Sequence, residues 1–290
     1  MEIQAETRYK LSYASKVKIK YALAYSVLGV AMLIAIGPIV WTFITSINSS
    51  NDLLSTTSLL PKHVSFKNYE SFLFGENSHF FLWFRNSFLV AMATVVLSLA
   101  AGCTAAYAYS RYEFVSKKTT LSIFILLNAF PNIMALTAYI KILSLLHLSN
   151  LWGLVIIYTG GQLVFTIWNL KSYFDTIPIE IEESAYMDGA SVTSILTKII
   201  LPLSRPAIAV TALFSFMAGW NEYVVAVTVA NKTASYTLPV GMYSLQNVGD
   251  YAKDWPLFSA GSLVVAVPVM IIFLFLQKSL VSGLTLGSSK

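Results

Sequence analysis

Glu182 to Pro202 reads EESAYMDGASVTSILTKIILP, a polar stretch lying between two long apolar segments. Glu180, Glu182 and Glu183 follow shortly after Pro178. Proline fits the first turn of a helix, and acids there meet the positive end of the helix dipole. The pattern predicts a short helix over Pro178–Asp188. Glu182, Ala185 and Gly189 fall at i, i+3 and i+7 and so share one face. Small residues on that face leave room for another surface to approach closely. Gly189 can take the positive φ that ends a helix. Ser191 is placed as the N-cap of a second helix, with Ile195, Ile199 and Leu196, Ile200 as its apolar rows. Pro202 and Pro206 are expected to stop it. The stretch forms a bent pair of short helices, a compact knob on one side of a membrane.

That a membrane is involved follows from composition. Mean hydropathy is +0.67 and only 11% of residues are charged, against about 25% in soluble domains. The pI near 9.1 does not mark a nucleic-acid binder, because the basic residues are scattered at membrane borders and form no basic face. The one cysteine, Cys103, excludes an intramolecular disulfide and reads as a small core residue. His63, His79 and His147 lack the spacing of a zinc site. No Gly-rich phosphate loop ending in Lys-Ser/Thr is present, and no Ser/His/Asp or paired-carboxylate arrangement emerges. The chain is expected to be neither an enzyme nor an ATP binder, and to carry no cofactor or metal of its own.

Working outward from the knob, the sequence divides into an all-α array of six transmembrane helices. Residues 1–20 form a basic N-terminal segment carrying Arg8, Lys10, Lys16, Lys18 and Lys20, which the positive-inside rule places in the cytoplasm. Ala22–Ile47 is longer than the roughly 7–15 apolar residues of a signal peptide, so 21–47 is a retained first span, with a kink expected at Gly37-Pro38. Residues 48–85 are an external loop. The core, 86–276, holds spans at Asn86–Tyr109, Leu121–Leu146, Leu151–Leu170, Ala207–Ala230 and Phe258–Leu276. It includes the knob, 178–206, and an external loop, 231–257. Residues 277–290 are a tail. Both termini are cytoplasmic in this arrangement, which puts thirteen Lys and Arg inside and six outside.

Few polar groups lie at membrane depth. Glu222, in Trp220-Asn221-Glu222-Tyr223, is costly there and must face the bundle interior or a wet cavity. Two readings stand side by side: a lining residue of the solute path, or an interhelical hydrogen-bond anchor. Asn128, Pro131 and Asn132 interrupt the third span, either exposing carbonyls to a cavity or forming a packed kink. Trp41, Trp83, Trp152 and Trp255 lie near span ends, where an aromatic belt is expected.

Glu183-Ser184-Ala185, three residues, Gly189, nine residues and Ile199-Ile200-Leu201-Pro202 together resemble the EAA loop of ATP-binding-cassette (ABC) importer permeases. Ser184 departs from the pattern, which has Ala there. From Leu33 onward the chain is similar to the second permease subunit of maltose/maltodextrin importers, in the carbohydrate branch of type I ABC importers. Arg85-Asn86-Ser87, Ala105-Ala106-Tyr107-Ala108, Phe130-Pro131, Gly160-Gly161 and Lys171 to Ile177 carry that likeness. So do Ser235-Tyr236-Thr237-Leu238, Val240-Gly241-Met242 and Gly283-Leu284-Thr285.

The resemblance implies a type I permease fold in a bacterial cytoplasmic membrane. It implies a second, homologous permease, two ATPase subunits that bind ATP and Mg, and an extracytoplasmic sugar-binding protein as partners; nucleic acid is not among them. It assigns ATPase coupling to Glu182, Glu183, Ala185, Asp188, Gly189, Ile199, Leu201 and Pro202, and an ATPase-contacting tail to Gly283, Leu284 and Thr285. The outer loop, with Gln246, Asn247 and Asp250, would reach the binding protein. Asn128, Asn132, Asn221 and Glu222 would belong to the translocation path, although in maltose importers the sugar site lies mainly in the partner permease. Maltodextrin is the first expectation for the cargo; other oligosaccharides, uronate oligosaccharides among them, or glycerol 3-phosphate come next. The absence of Arg and Lys deep in the spans favours a neutral sugar. An ion-coupled transporter would show inverted repeats and ionisable relays; Glu222 is the one candidate and no repeat is visible.

Overall fold

The structure is a computed structural model that describes residues 13–49, 63–76, 78–230, 232–245 and 254–286. Among them helices account for nearly everything, the one β feature being an antiparallel bridge between Asn48 and Val64. Among the described residues four helices are long and apolar enough to cross a membrane, and the number rises to six when each of two bent pairs counts as one span.

The first helix, α1 (Tyr13–Ser46), runs unbroken through Pro38 and packs along the last helix, α13 (Trp255–Leu286). Short α2 (Lys67–Phe74) is pinned to the end of α1, where the Asn68 amide donates to the Ser46 and Asn48 carbonyls, each at 2.8 Å. The centre is α3 (Phe80–Arg111), packed along α6 (Leu151–Phe174) and α10 (Arg205–Trp220). In lipid there is no hydrophobic drive between helices, so close approach of small residues and polar contacts must hold them. Both are present. A Cβ on Gly102 would stand 2.1 Å from Thr166, and one on Gly219 2.8 Å from the Ala91 Cα. Ser98 donates to Ser215 at 3.0 Å, and the Asn169 amide to Thr211 at 2.9 Å.

Several expected boundaries shift. The segment 48–85 is not all loop: it carries α2, and α3 begins at Phe80 instead of Asn86. The third span is two helices, α4 (Lys117–Ala129) and α5 (Leu136–Leu145), parted by Phe130-Pro131 and a 3-10 turn at Asn132–Ala135. The fifth is broken as well, since α10 stops at Trp220 and α11 (Val224–Val229) starts afresh. The segment 231–257 carries a 3-10 turn at Thr233–Ser235 and a buried helix, α12 (Leu238–Ser244). The expected tail is helical through Leu286, because α13 simply continues.

Prolines behave differently from expectation in the knob. The second knob helix runs as α8 (Val192–Ile195), a π turn at Leu196–Ile200 and α9 (Leu201–Leu203), passing through Pro202 and ending at Ser204. Pro202 has no N–H to offer the Lys198 carbonyl, and a wider turn before it relieves that loss. Pro206 starts α10 instead of stopping α9, since a proline in a first turn forfeits nothing. The chain bends by 82° between the two helices. Trp83 is also corrected: it is 5% exposed and belongs to the core, whereas Trp41 and Trp152 are exposed as an aromatic belt requires.

Candidate functional site

Among the described residues, side-chain chemistry converges in the knob and around a cavity between the helices. In the knob, α7 (Glu180–Met187) carries Glu180, Glu182 and Glu183 in its first turn. Gly189 has φ +82°, which only glycine adopts cheaply. Its N–H donates to the Tyr186 carbonyl at 2.9 Å, while the Ala190 N–H reaches the Ala185 carbonyl at 2.9 Å. This pair of bonds closes the helix end in a Schellman arrangement. Ser191 caps the next helix as expected, its hydroxyl accepting from the Ser194 N–H at 3.3 Å.

The face shared by Glu182 and Ala185 turns inward, against the expectation that it is offered to a partner. Glu182 is 2% exposed. Its carboxylate accepts from the Tyr107 hydroxyl at 2.7 Å and from Arg111 Nε at 2.5 Å. Arg111 also donates to the Ile177 carbonyl at 3.1 Å and to Ser110 Oγ at 3.0 Å. A carboxylate this deep must be paired, because an unpaired one would carry a large desolvation cost. Ala185, Ile199 and Leu201 pack into the cluster formed by Tyr107, Phe174, Ile195 and Ile200, so they too serve the interior. The exposed face consists of Glu183, Tyr186, Met187, Asp188, Gly189 and, further on, Pro202. Tyr107 and Arg111 stand four residues apart, one helical turn, but they lie about 70 residues before Glu182, and nothing local in the sequence ties them to it.

Asp175, in the turn between α6 and α7, accepts from Lys171 at 2.5 Å and from Ser110 at 2.6 Å. Partial burial works against its charge, but the Lys171 and Ser110 hydrogen bonds outweigh it and hold the carboxyl below the usual range. Glu113 is likewise held low by its bond to Lys117, at 2.7 Å.

The cavity, of about 640 Å³, lies between α4, α5, α6, α10 and α11 and is lined by Asn128, Tyr139, Tyr158, Gln162, Phe165, Phe214 and Glu222 among others. Among the described residues, no lysine, arginine or histidine lines it. The Tyr158 hydroxyl donates to Glu222, whose carboxylate also accepts from the Val225 and Ala226 N–H groups at 2.8 and 3.1 Å. Glu222 therefore ties α6 to the start of α11, as the anchor reading has it, and it also lines this cavity. Asn128 joins it there. Asn221 does not: it points into an apolar groove between α10 and α13, with Met217 and Val265. Asn132 lies in the 3-10 turn by its backbone, its side chain outside the described residues. Tyr139, Tyr158, Gln162, Phe165 and Phe214 were not anticipated. On α6, Tyr158, Gln162 and Phe165 follow helical spacing along one face, a signal that the surrounding apolar residues concealed.

At the end of the bundle away from the knob, the start of α3 holds the segment before α12. Trp83 Nε1 donates to the Thr233 carbonyl at 3.2 Å, and the Asn86 amide to the Ala234 and Tyr236 carbonyls, each at 2.9 Å. Ser87 Oγ accepts from the Leu238 N–H at 2.7 Å. Two of the motifs singled out in the sequence, around Asn86 and around Tyr236, thus bind one another. Gln246, Asn247 and Asp250 lie outside the described residues, and Gly283, Leu284 and Thr285 sit in the last turns of α13.

Residues 95–285 match the family described as binding-protein-dependent transport system inner membrane component. The chain belongs to this family. It is 38% identical to the galactooligosaccharides transport system permease protein GanQ of Bacillus subtilis over 274 residues, 94% of this chain and 96% of that protein. It is also 38% identical to the maltodextrin transport system permease protein MdxG of the same organism, over 72% of this chain and 75% of that one. Among solved structures, it superposes on a chain of a bacterial ABC transporter involved in the import of the acidic polysaccharide alginate, with TM-score 0.76 and 26% identity, covering 92% of this chain and 98% of that one. The chain is thus an integral membrane permease subunit of a binding-protein-dependent ABC sugar importer, with the type I importer fold, and not an enzyme.

Proposed function

We propose that the chain forms one half of the membrane path of an importer for short neutral oligosaccharides, with galacto-oligosaccharides ahead of the maltodextrins that its motifs put first. The cavity around Glu222 carries this reading. Its tyrosines, phenylalanines, amides and single carboxylate suit the apolar faces and hydroxyls of a neutral sugar. An acidic chain such as the alginate carried by the similar transporter would meet a carboxylate and no cation there. Likeness to a galactooligosaccharide permease along nearly the whole chain, against a shorter match to a maltodextrin permease, supports the order of cargoes.

In this reading the chain sits in a bacterial cytoplasmic membrane with the knob, the N-terminus and the end of α13 on the cytoplasmic side. It pairs with a homologous permease, two ATPase subunits and an extracytoplasmic binding protein. The exposed face of α7, led by Glu183 and Met187, seats in the ATPase, and the outer loop with Gln246, Asn247 and Asp250 meets the binding protein. ATP binding closes the ATPases, the knob moves with them and the cavity opens outward; hydrolysis resets it. A ligand drives such a change only through contacts that differ between the two states.

The test is ATP hydrolysis by the complex, purified with its neighbouring permease, ATPase and binding protein, across a panel of sugars. Stimulation by galacto-oligosaccharides with the binding protein present is the expected result. Stimulation by maltodextrins alone would replace the cargo and keep the machine. Absence of a bound ATPase, with uptake following an ion gradient, would overturn the reading. Gly189→Trp, which strains a left-handed turn on the exposed face, is expected to abolish uptake while insertion in the membrane is unchanged.

A further inference from the structure

We infer that α3 is a strut that carries movement of the knob to the segment 233–238 at the far end of the bundle, with Arg111 and Asn86 as positioning residues at its two ends. The inference rests on α7 being the element that meets the ATPase.

α3 is a single helix of 32 residues with no proline. At a rise of about 1.5 Å per residue it is about 48 Å long, enough to join the two faces of a membrane. The expected third and fifth spans are interrupted within their length, by Phe130-Pro131 and by Asn221-Glu222-Tyr223, and α13 contains Pro268. The helix α6 is continuous, but its far end begins at Leu151, and the bonds to segment 233–238 come from Trp83, Asn86 and Ser87 on α3.

The two ends of α3 are built alike. At the knob end Tyr107 and Arg111, one turn apart, converge on buried Glu182. At the far end Trp83, Asn86 and Ser87, again within about one turn, bond to backbone groups of residues 233–238. Bonds to backbone hold that segment by its path, whatever side chains it carries. The short turn at 175–179 joins α7 to α6, and Ala185 packs into the cluster with Tyr107 and Phe174; the Glu182 contact adds a direct polar tie to α3. With it, α7 is fixed to α3. Opening the pair would leave two charges buried and unpaired, so the contact stays closed and α7 and α3 move together. Whatever displaces the knob then displaces the clamp on the segment leading to α12.

The test uses the assembled complex with its ATPases and binding protein in lipid nanodiscs. Glu182→Gln and Asn86→Ala are made singly and together, and basal and binding-protein-stimulated ATP hydrolysis are measured. Each single variant should lower the stimulated-to-basal ratio about tenfold, with ATPase still bound, the size of a typical coupling between sites. Because both interrupt one path, the double variant should be no worse than the poorer single one. Independent sites give losses that multiply, and that outcome overturns the strut. So does a lowered melting temperature with an unchanged ratio, which marks a purely structural contact. Tyr107→Phe and Ser87→Ala, each removing one hydrogen bond, repeat the cycle if the first variants fail to assemble. Gly189→Trp separates the two failures. Uncoupling by it, with normal Glu182→Gln and Asn86→Ala, defeats the strut alone; normal coupling in all three defeats the assignment of α7 as well.

Discussion

Gly241 is glycine because the Trp83 ring fills the space its side chain would take: a Cβ there would lie 2.2 Å from the ring. Gly241→Ala therefore forces the tryptophan off the hydrogen bond to Thr233, and overpacking of this kind costs about 1–3 kcal/mol. Gly29, half-buried on α1, has nothing within 4 Å of where a Cβ would stand, and Gly29→Ala should be neutral or stabilise by up to about 1 kcal/mol. Thermal unfolding of the purified chain in detergent compares the two; equal melting temperatures would contradict the packing at Trp83. Asp175 gives a pH-dependent counterpart. Its carboxyl titrates below the usual range, because Lys171 and Ser110 bonds outweigh its partial burial. A depressed carboxylate contributes stability above its unfolded pKa, and that contribution fades as pH falls through the folded value. Asp175→Asn should thus lower the melting temperature slightly at neutral pH, since an ion pair this exposed is worth under about 1 kcal/mol. The difference should vanish below the ordinary aspartate range of about 4. At this scale the sequence was uneven as a guide. Gly189 was legible because a helix end and a positive φ are local properties. Gly241 and Glu182 were not, because their partners lie on α3, far away in sequence.

Prolines and polar residues decide where the helices break, and neither decides alone. Pro38 and Pro268 lie inside continuous helices, while Pro131 lies at a break. Proline removes only its own N–H, here the donor to the Ile34 carbonyl, and α1 runs on through it. The break before α11 has no proline at all. Hydropathy ran through Ala207–Ala230 without a pause, since a window average does not register backbone direction. Glu222 stabilises the break by accepting from two N–H groups at the start of α11. Glu222→Leu leaves both without their acceptor at a cost of about 1–3 kcal/mol, whereas Glu222→Gln keeps an amide oxygen for them. Hydrogen exchange of the Val225 and Ala226 amides should accelerate strongly in the leucine variant and only slightly in the glutamine variant. Equal exchange in the two would mean that Glu222 does not hold α11.

The whole molecule has two unlike ends, and charge is the property by which the sequence assigns a side to each. Thirteen of the 19 Lys and Arg fall in segments assigned to the knob side, which under the positive-inside rule is cytoplasmic. The span count was legible for the same reason that composition was, because long apolar runs have few other uses. Which helices pack together was not, since lipid-facing and protein-facing residues are equally apolar in α1 and α13. Sidedness can be read directly. Cys103 is the sole cysteine and is buried, so Cys103→Ala gives a background free of thiols. Glu76→Cys, exposed between α2 and α3, and Met187→Cys, 88% exposed on the knob, then mark the two ends, each in its own variant. The chain is expressed without its ATPase, so that the knob is uncovered, and treated with a membrane-impermeant maleimide. Right-side-out vesicles should label the Glu76→Cys variant and spare the Met187→Cys variant; inside-out vesicles should do the reverse. Labelling of both from one side would place the start of α3 and the knob on the same face, which a single membrane-spanning α3 does not allow. Reversed labelling would keep the fold but invert it, removing the knob from the side where ATP is.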